Sequence, residues 1–182
     1  MNKTLVVVDM QNDFLTGALR NEEAIKVAPY VKAKIEQAKK NGETIIFTRD
    51  THEENYMETE EGRNLPVPHC IKGTEGWEII PELEAEQNAD LIIDKETFGA
   101  KELADYFRKN ADEVDEVEFV GVCTDICVIS NVLLTKAMIP NKKIYVDAAG
   151  CAGVTATTHD TALAAMKACH IVVENEGKEN WR

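Results

Sequence analysis

Residues 117–127 read VEFVGVCTDIC. A run of β-branched and aromatic residues, Val117 to Gly121, passes through a few polar positions into an apolar pattern at helical spacing, Ile126 to Ala137. The stretch therefore predicts a buried strand that turns directly into a helix. The same alternation recurs on both sides of it. Strands are expected at Thr4 to Val8, Glu43 to Thr48, Asp90 to Asp94, Lys143 to Asp147 and His170 to Val173. Helices are expected from Ile25 to Ala38, around Leu103 and Phe107, and from Thr157 to Ala168. Pro29 is placed in the first turn of its helix, and Asn41-Gly42 at its end. The strand runs are almost continuously apolar, as strands covered by helices on both faces are. Right-handed crossovers then give an α/β architecture with a doubly wound parallel sheet.

A chain of 182 residues with 44% hydrophobic and 29% charged residues suits a single globular domain over 1–182. Its 20 basic against 33 acidic side chains leave a net charge of −13, which argues against nucleic acid or an anionic membrane surface as partner. The apolar runs are too short to span a bilayer, and Lys3 leads straight into a strand rather than a leader peptide. A cytoplasmic location is the expectation. The five cysteines are an odd number and predict thiols, with Cys151 and Cys169 as small buried apolar residues. His159, early in a helix, and His170 read as structural, and the acidic stretch Asp112 to Glu118 reads as a solvated connection. Residues 51–81 break the alternation with several prolines and glycines, and connections of that length tend to carry function.

In open parallel sheets ligands bind beyond the carboxyl ends of the strands. Those ends are polar here: Asp9, Asp50 with His52, Asp94-Lys95, and the turn leading to Cys127. Capped by Thr124 or Asp125, the helix after the fourth strand would hold Cys127 in its first turn, where a thiolate is favoured. Asp9 and Lys95 then supply the base and the charge partner a nucleophile needs. Asp50 and His52, with His69 further along the same loop, make a donor set for zinc or iron, and Glu61 is a possible fourth donor. The spacing alone fits a loop aspartate and a surface histidine equally well. Phe14 and Trp77 are placed either against a planar ligand or in the core.

In order, the segments VDMQNDF (8–14), DTH (50–52), PHCIKGTEG (68–76), Asp94-Lys95 with Phe98, and GVCTDICV (121–128) resemble the motifs of the isochorismatase-like cysteine hydrolases, and among these the nicotinamidases. The resemblance spans nearly the whole chain. It implies a three-layer fold around a six-stranded parallel sheet in the order 3-2-1-4-5-6, and a triad of Asp9, Lys95 and Cys127. It also implies a non-proline cis peptide at Val122–Cys123, with the N–H groups of Cys123 and Cys127 facing an oxyanion. Asp50, His52, His69 and Glu61 would hold a divalent metal, zinc first with iron or manganese as alternatives. The implied activity is hydrolysis of a small carboxamide, nicotinamide foremost, by a homo-oligomer. Thr51 stands where many nicotinamidases have tryptophan, Gly99 where serine is common, and Cys123 where alanine is frequent, the last a change that a backbone role tolerates; these departures leave the shape of the substrate pocket open. Rival expectations are a carbamoyl or ureido amidohydrolase, an isochorismatase-type hydrolase, and a phospho-receiver or binding module without catalysis.

Overall fold

A computed structural model of the chain describes residues 2–182. Six parallel strands are ordered β3-β2-β1-β4-β5-β6. They are β1 (Lys3–Val8), β2 (Thr44–Asp50), β3 (Leu91–Lys95), β4 (Glu116–Val122), β5 (Lys143–Ala152) and β6 (Val172–Glu174). The order reverses beside β1, so β1 and β4 diverge into helices on opposite faces and open a crevice at their carboxyl ends. Side chains alternate across β1: Val6 and Val8 join one buried cluster, Leu5 and Val7 the other. The first cluster lies under α5 (Lys101–Lys109), α6 (Ile129–Met138) and α7 (Ala156–Ala168), through Leu103, Phe107, Val132 and Leu163. The second lies under α2 (Glu22–Asn41), through Val27, Val31 and Ile35. Both faces being dry explains the continuous apolar character of the strands.

The helix of residues 22–41 begins earlier than its apolar spacing suggests, because Asn21 Oδ1 accepts from the backbone N–H of Glu23 and Ala24. Pro29 consequently lies inside the helix and not in its first turn. Gly42 closes it in the left-handed region at φ 69°. Strand β5 continues past Asp147 to Ala152, with a register irregularity against β4 between Phe119 and Gly121. Glu118 is not solvated: at 2% exposure it meets the ammonium groups of Lys3 and Lys34. Cys151 is buried as expected, whereas Cys169, at the end of α7, is exposed. Among the described residues no helix is long and apolar enough to cross a membrane.

The 51–81 segment is ordered by short helical turns, including α3 (Glu60–Asn64), and by a bridge between His52 and Ile71. Asp13 Oδ2 accepts from Cys70 N at 2.7 Å, tying the loop to α1 (Asn12–Leu15). These anchors draw distant parts of the sequence to the carboxyl edge of the sheet.

Candidate active site

Asp9, Lys95 and Cys127 meet at this edge. The β1 strand ends at Val8, and Asp9 takes a left-handed conformation, φ 49°, that aspartate tolerates better than most residues. Gly121 lies alongside, at φ +119°, where an added Cβ would stand 2.1 Å from Val8 O; only glycine permits that approach. Asp9 Oδ1 accepts from Thr48 Oγ1 at 2.6 Å, and Oδ2 is 2.7 Å from Lys95 Nζ. The same ammonium is 3.5 Å from Cys127 Sγ and 3.0 Å from Asp50 Oδ1. Asp9 and Lys95 are at most 1% exposed.

Burial dominates the electrostatics of this group. It raises the Asp9 carboxyl above its ordinary pKa, against the pull of Lys95. It also pushes the Cys127 thiol well up, with Lys95 opposing and the carboxylates of Asp9 and Asp50 adding to the rise. Burial works against the Lys95 charge too, but Asp9, Cys127 and Asp50 outweigh it and raise the ammonium's pKa well above normal. Burial thus works against a thiolate at Cys127, opposing the helix-end stabilisation expected from the sequence. The local backbone agrees. Cys127 lies in a π-helical turn, Thr124–Val128, ahead of α6, and no side chain caps that turn. Asp125 instead accepts from Val154 N at 3.0 Å. The Val122–Cys123 peptide is cis.

Asp50 joins this group to a second one. Its Oδ1 faces Lys95, while Oδ2 is 3.0 Å from His52 Nε2 and 3.5 Å from His69 Nε2. Glu61 Oε1 lies 3.5 Å from His52 Nε2 and 3.7 Å from His69 Nε2. The donor atoms of Asp50, His52, Glu61 and His69 all fall within 4.8 Å of one another. His69 Nδ1 is 2.8 Å from Val67 O, a contact that orients the ring with Nε2 toward the other donors. Two imidazole nitrogens and two carboxylate oxygens around one point fit a divalent cation. Tyr56 packs its ring 4.7 Å from that of His52 and 5.1 Å from that of His69. Lys95, His52 and His69 hold Asp50 well below the usual carboxylate range despite its burial.

A cavity of about 490 Å³ opens onto both groups. Cys127, Cys123, Asp50, Glu61 and His69 are on its wall, with Phe14, Leu65, Phe98 and Ile126 as apolar lining. Asp9 and Lys95 lie behind the thiol, off that wall.

A family model described as the isochorismatase domain matches residues 3–176. The chain belongs to the isochorismatase family. The pyrazinamidase of Pyrococcus horikoshii, solved in complex with zinc, is similar at 32% identity and TM-score 0.82, covering 95% of this chain and 98% of that one. The nicotinamidase of Escherichia coli is 27% identical over 195 residues, 91% of this chain and 90% of that protein. The N-carbamoylsarcosine amidase of Thermoplasma acidophilum is similar at 25% identity and TM-score 0.77, over 95% of both chains. This isochorismatase-family member is accordingly a hydrolase with nicotinamidase-like relatives.

Of the ring-contact candidates in this family member, Phe14 lines the cavity and Trp77 does not. The Trp77 indole N–H donates to Thr51 Oγ1 at 2.8 Å, and the Arg49 guanidinium lies 3.7 Å above its ring. It packs beneath the loop as a brace. Three supporting residues escaped the sequence reading. Gln11 donates to Asp50 O and accepts from Asp50 N, both within 2.8 Å, fixing that backbone. Asn131 bonds Cys127 O, Phe98 O and Ala100 N, linking the Cys127 turn to the segment after Lys95. Tyr56 shields the histidines. Only Gln11 carried a signal, since it falls within the VDMQNDF segment.

Proposed function

We propose that this protein is a cysteine amidohydrolase that converts a small aromatic carboxamide, nicotinamide foremost, to its carboxylate and ammonia through a thioester on Cys127. The observation that carries the reading is the double use of Asp50. One oxygen pairs with the lysine beside the thiol and the other enters the four-residue donor set, both at 3.0 Å, so nucleophile and metal-type ligands share one cavity wall.

In this reading Asp9 accepts the Cys127 proton as sulfur attacks the amide carbon. The backbone N–H groups of Cys123 and Cys127 receive the oxyanion. Asp9 returns the proton to the nitrogen, and the C–N bond breaks to release ammonia. Water then attacks the thioester, again giving a proton to Asp9. The C–S bond breaks and the thiol is restored. Lys95 keeps Asp9 ionised without becoming a proton donor, because its own pKa is raised. A divalent cation held by Asp50, His52, Glu61 and His69 would supply a docking point for a ring nitrogen or an ordered water. Zinc is the first candidate, as in the Pyrococcus relative.

The cavity, at about 490 Å³, exceeds a single pyridine ring. That favours a second reading in which a larger carbamoyl compound is cleaved by the same chemistry. Ammonia release measured over a panel of nicotinamide, pyrazinamide and N-carbamoyl amino acids separates the two. Turnover of nicotinamide well above the others supports the first; ammonia from none of them refutes both.

A further inference from the structure

Behind the nucleophile turn runs a second buried row of polar groups that the reaction above does not use. Thr124 opens the turn and is fully buried, and its Oγ1 lies 2.7 Å from His159 Nδ1. On the far side of the imidazole, Nε2 is 3.3 Å from Glu179 Oε1. Thr124 and His159 are 0% exposed and Glu179 is 4% exposed. A carboxylate can only accept, so the imidazole proton sits on Nε2, Nδ1 is bare, and the Thr124 hydroxyl donates to it. The His159 pKa, lowered by burial, agrees with a neutral ring.

The ring is gripped from every side. Trp181 stands edge-on to it at 5.0 Å between centroids and donates its indole N–H to Cys151 O at 3.1 Å. Arg182 binds both oxygens of Glu179 and also Asp160. A Cβ added at Gly153 would lie 2.9 Å from His159 Cβ, so the loop into α7 packs directly on it. Buried histidines with satisfied nitrogens are commonly structural. Here the partner's position gives more. Thr124 lies between Cys123 and Cys127, in a turn without a side-chain cap. The hydroxyl–imidazole bond therefore ties that segment to α7 and the C-terminal residues.

We propose that His159, oriented by Glu179, is a positioning residue that holds the Cys123–Cys127 segment in its reactive geometry through the Thr124 hydroxyl. This rests on Cys127 being the nucleophile. The test compares steady-state ammonia release from nicotinamide by Thr124→Val, Thr124→Ser, His159→Leu and His159→Asn. Rates are normalised to folded enzyme, measured by circular dichroism and by the fraction eluting at the native size. Thr124→Val and His159→Leu should lower kcat by about 10- to 100-fold, as small misplacements of reacting groups do, with KM little changed. Thr124→Ser restores the hydroxyl, and His159→Asn offers a side-chain carbonyl oxygen near the place of Nδ1, so both variants should recover most of the lost kcat. Unchanged kcat per folded molecule in Thr124→Val, whatever its melting temperature, overturns the proposal, as does a His159→Asn enzyme no better than His159→Leu. If His159→Leu does not fold, Thr124→Val decides alone. Cys127→Ala separates the two levels. Full activity there removes the parent reading, whereas an inactive Cys127→Ala beside a fully active Thr124→Val removes only the role of His159.

Discussion

Replacing Lys95 by methionine keeps the length of the side chain and deletes its charge. The ammonium is 1% exposed and lies 2.7 Å from Asp9 Oδ2 and 3.0 Å from Asp50 Oδ1. Removing one partner of a buried ion pair leaves an uncompensated charge, and the expected loss of stability near neutral pH is on the order of 3–5 kcal/mol. The loss depends on pH in a definite direction. Burial already raises the Asp9 pKa in the folded protein, and Lys95 holds that rise in check. A carboxyl whose folded pKa exceeds its unfolded value opposes folding above the folded pKa, and this penalty disappears below the unfolded value. Without Lys95 the folded pKa climbs further, so the deficit of Lys95→Met is greatest near neutrality and shrinks on acidification. Activity follows the same group. In the proposed reaction Asp9 must be ionised to take the thiol proton, so the acid limb of kcat/KM should move to higher pH. At neutral pH the rate falls by about 10²–10⁴-fold, the usual worth of a general base. Urea unfolding at a series of pH values, paired with pH profiles of ammonia release, measures both. Wild-type stability and an unmoved acid limb would refute the role given to Lys95.

Loss of a ligand should register first in metal content: His69→Ala, analysed by elemental mass spectrometry after purification without chelator, is expected to hold substoichiometric metal. His52→Ala should raise KM for nicotinamide more than it lowers melting temperature, and an unchanged KM with a full metal complement would contradict the proposed docking role. Gly121→Ala forces a Cβ to 2.1 Å from Val8 O at a positive φ, so denaturant unfolding should show a loss of at least ~2 kcal/mol. Asn131→Ala breaks bonds to Cys127 O, Phe98 O and Ala100 N, and is expected to cost about 1–3 kcal/mol together with part of kcat. A melting temperature and kcat equal to wild type would show that Asn131 does not brace the turn.

The fold was legible because its main signal is local. Apolar runs such as Leu5 to Val8 are buried on both faces and announce themselves without reference to the rest of the chain. The order of the strands came from the family resemblance. Errors arose where tertiary partners decide. The extension of β5 through Ala148 to Ala152 uses small residues of weak strand preference, held by pairing with β4. Pro29 was assigned to the first turn because the Asn21 cap, two bonds that start the helix at Glu22, leaves no trace in apolar spacing. Glu118 read as solvent-facing because Lys34, its partner, is far away in sequence.

The candidate site divides in the same way. Asp9, Asp50 and Lys95 stand at strand ends, where chemistry is sought first, and Cys127 follows the strand that decides the fold. Glu61 was picked from an acidic run that spacing alone does not resolve; the α3 turn is what brings it to His52 and His69. The surroundings of the sulfur add an effect that the sequence does not carry. Helix-terminus arguments treat the thiol as partly hydrated, whereas here burial outweighs the local dipole and the Lys95 charge. Trp77 had the chemistry of a stacking residue but its indole faces Thr51 and Arg49. The bracing residues Gln11, Tyr56 and Asn131 matter only through contacts that form after folding.

Whether Cys127 carries the acyl group is open to direct measurement. Enzyme mixed with excess nicotinamide, quenched in acid within a turnover and digested for peptide mass mapping, should show a mass increase on the Cys127 peptide equal to nicotinamide less ammonia. That adduct should be absent from Cys127→Ala, which should release no ammonia. Undiminished ammonia release by Cys127→Ala, or an adduct on any other peptide, would contradict the account.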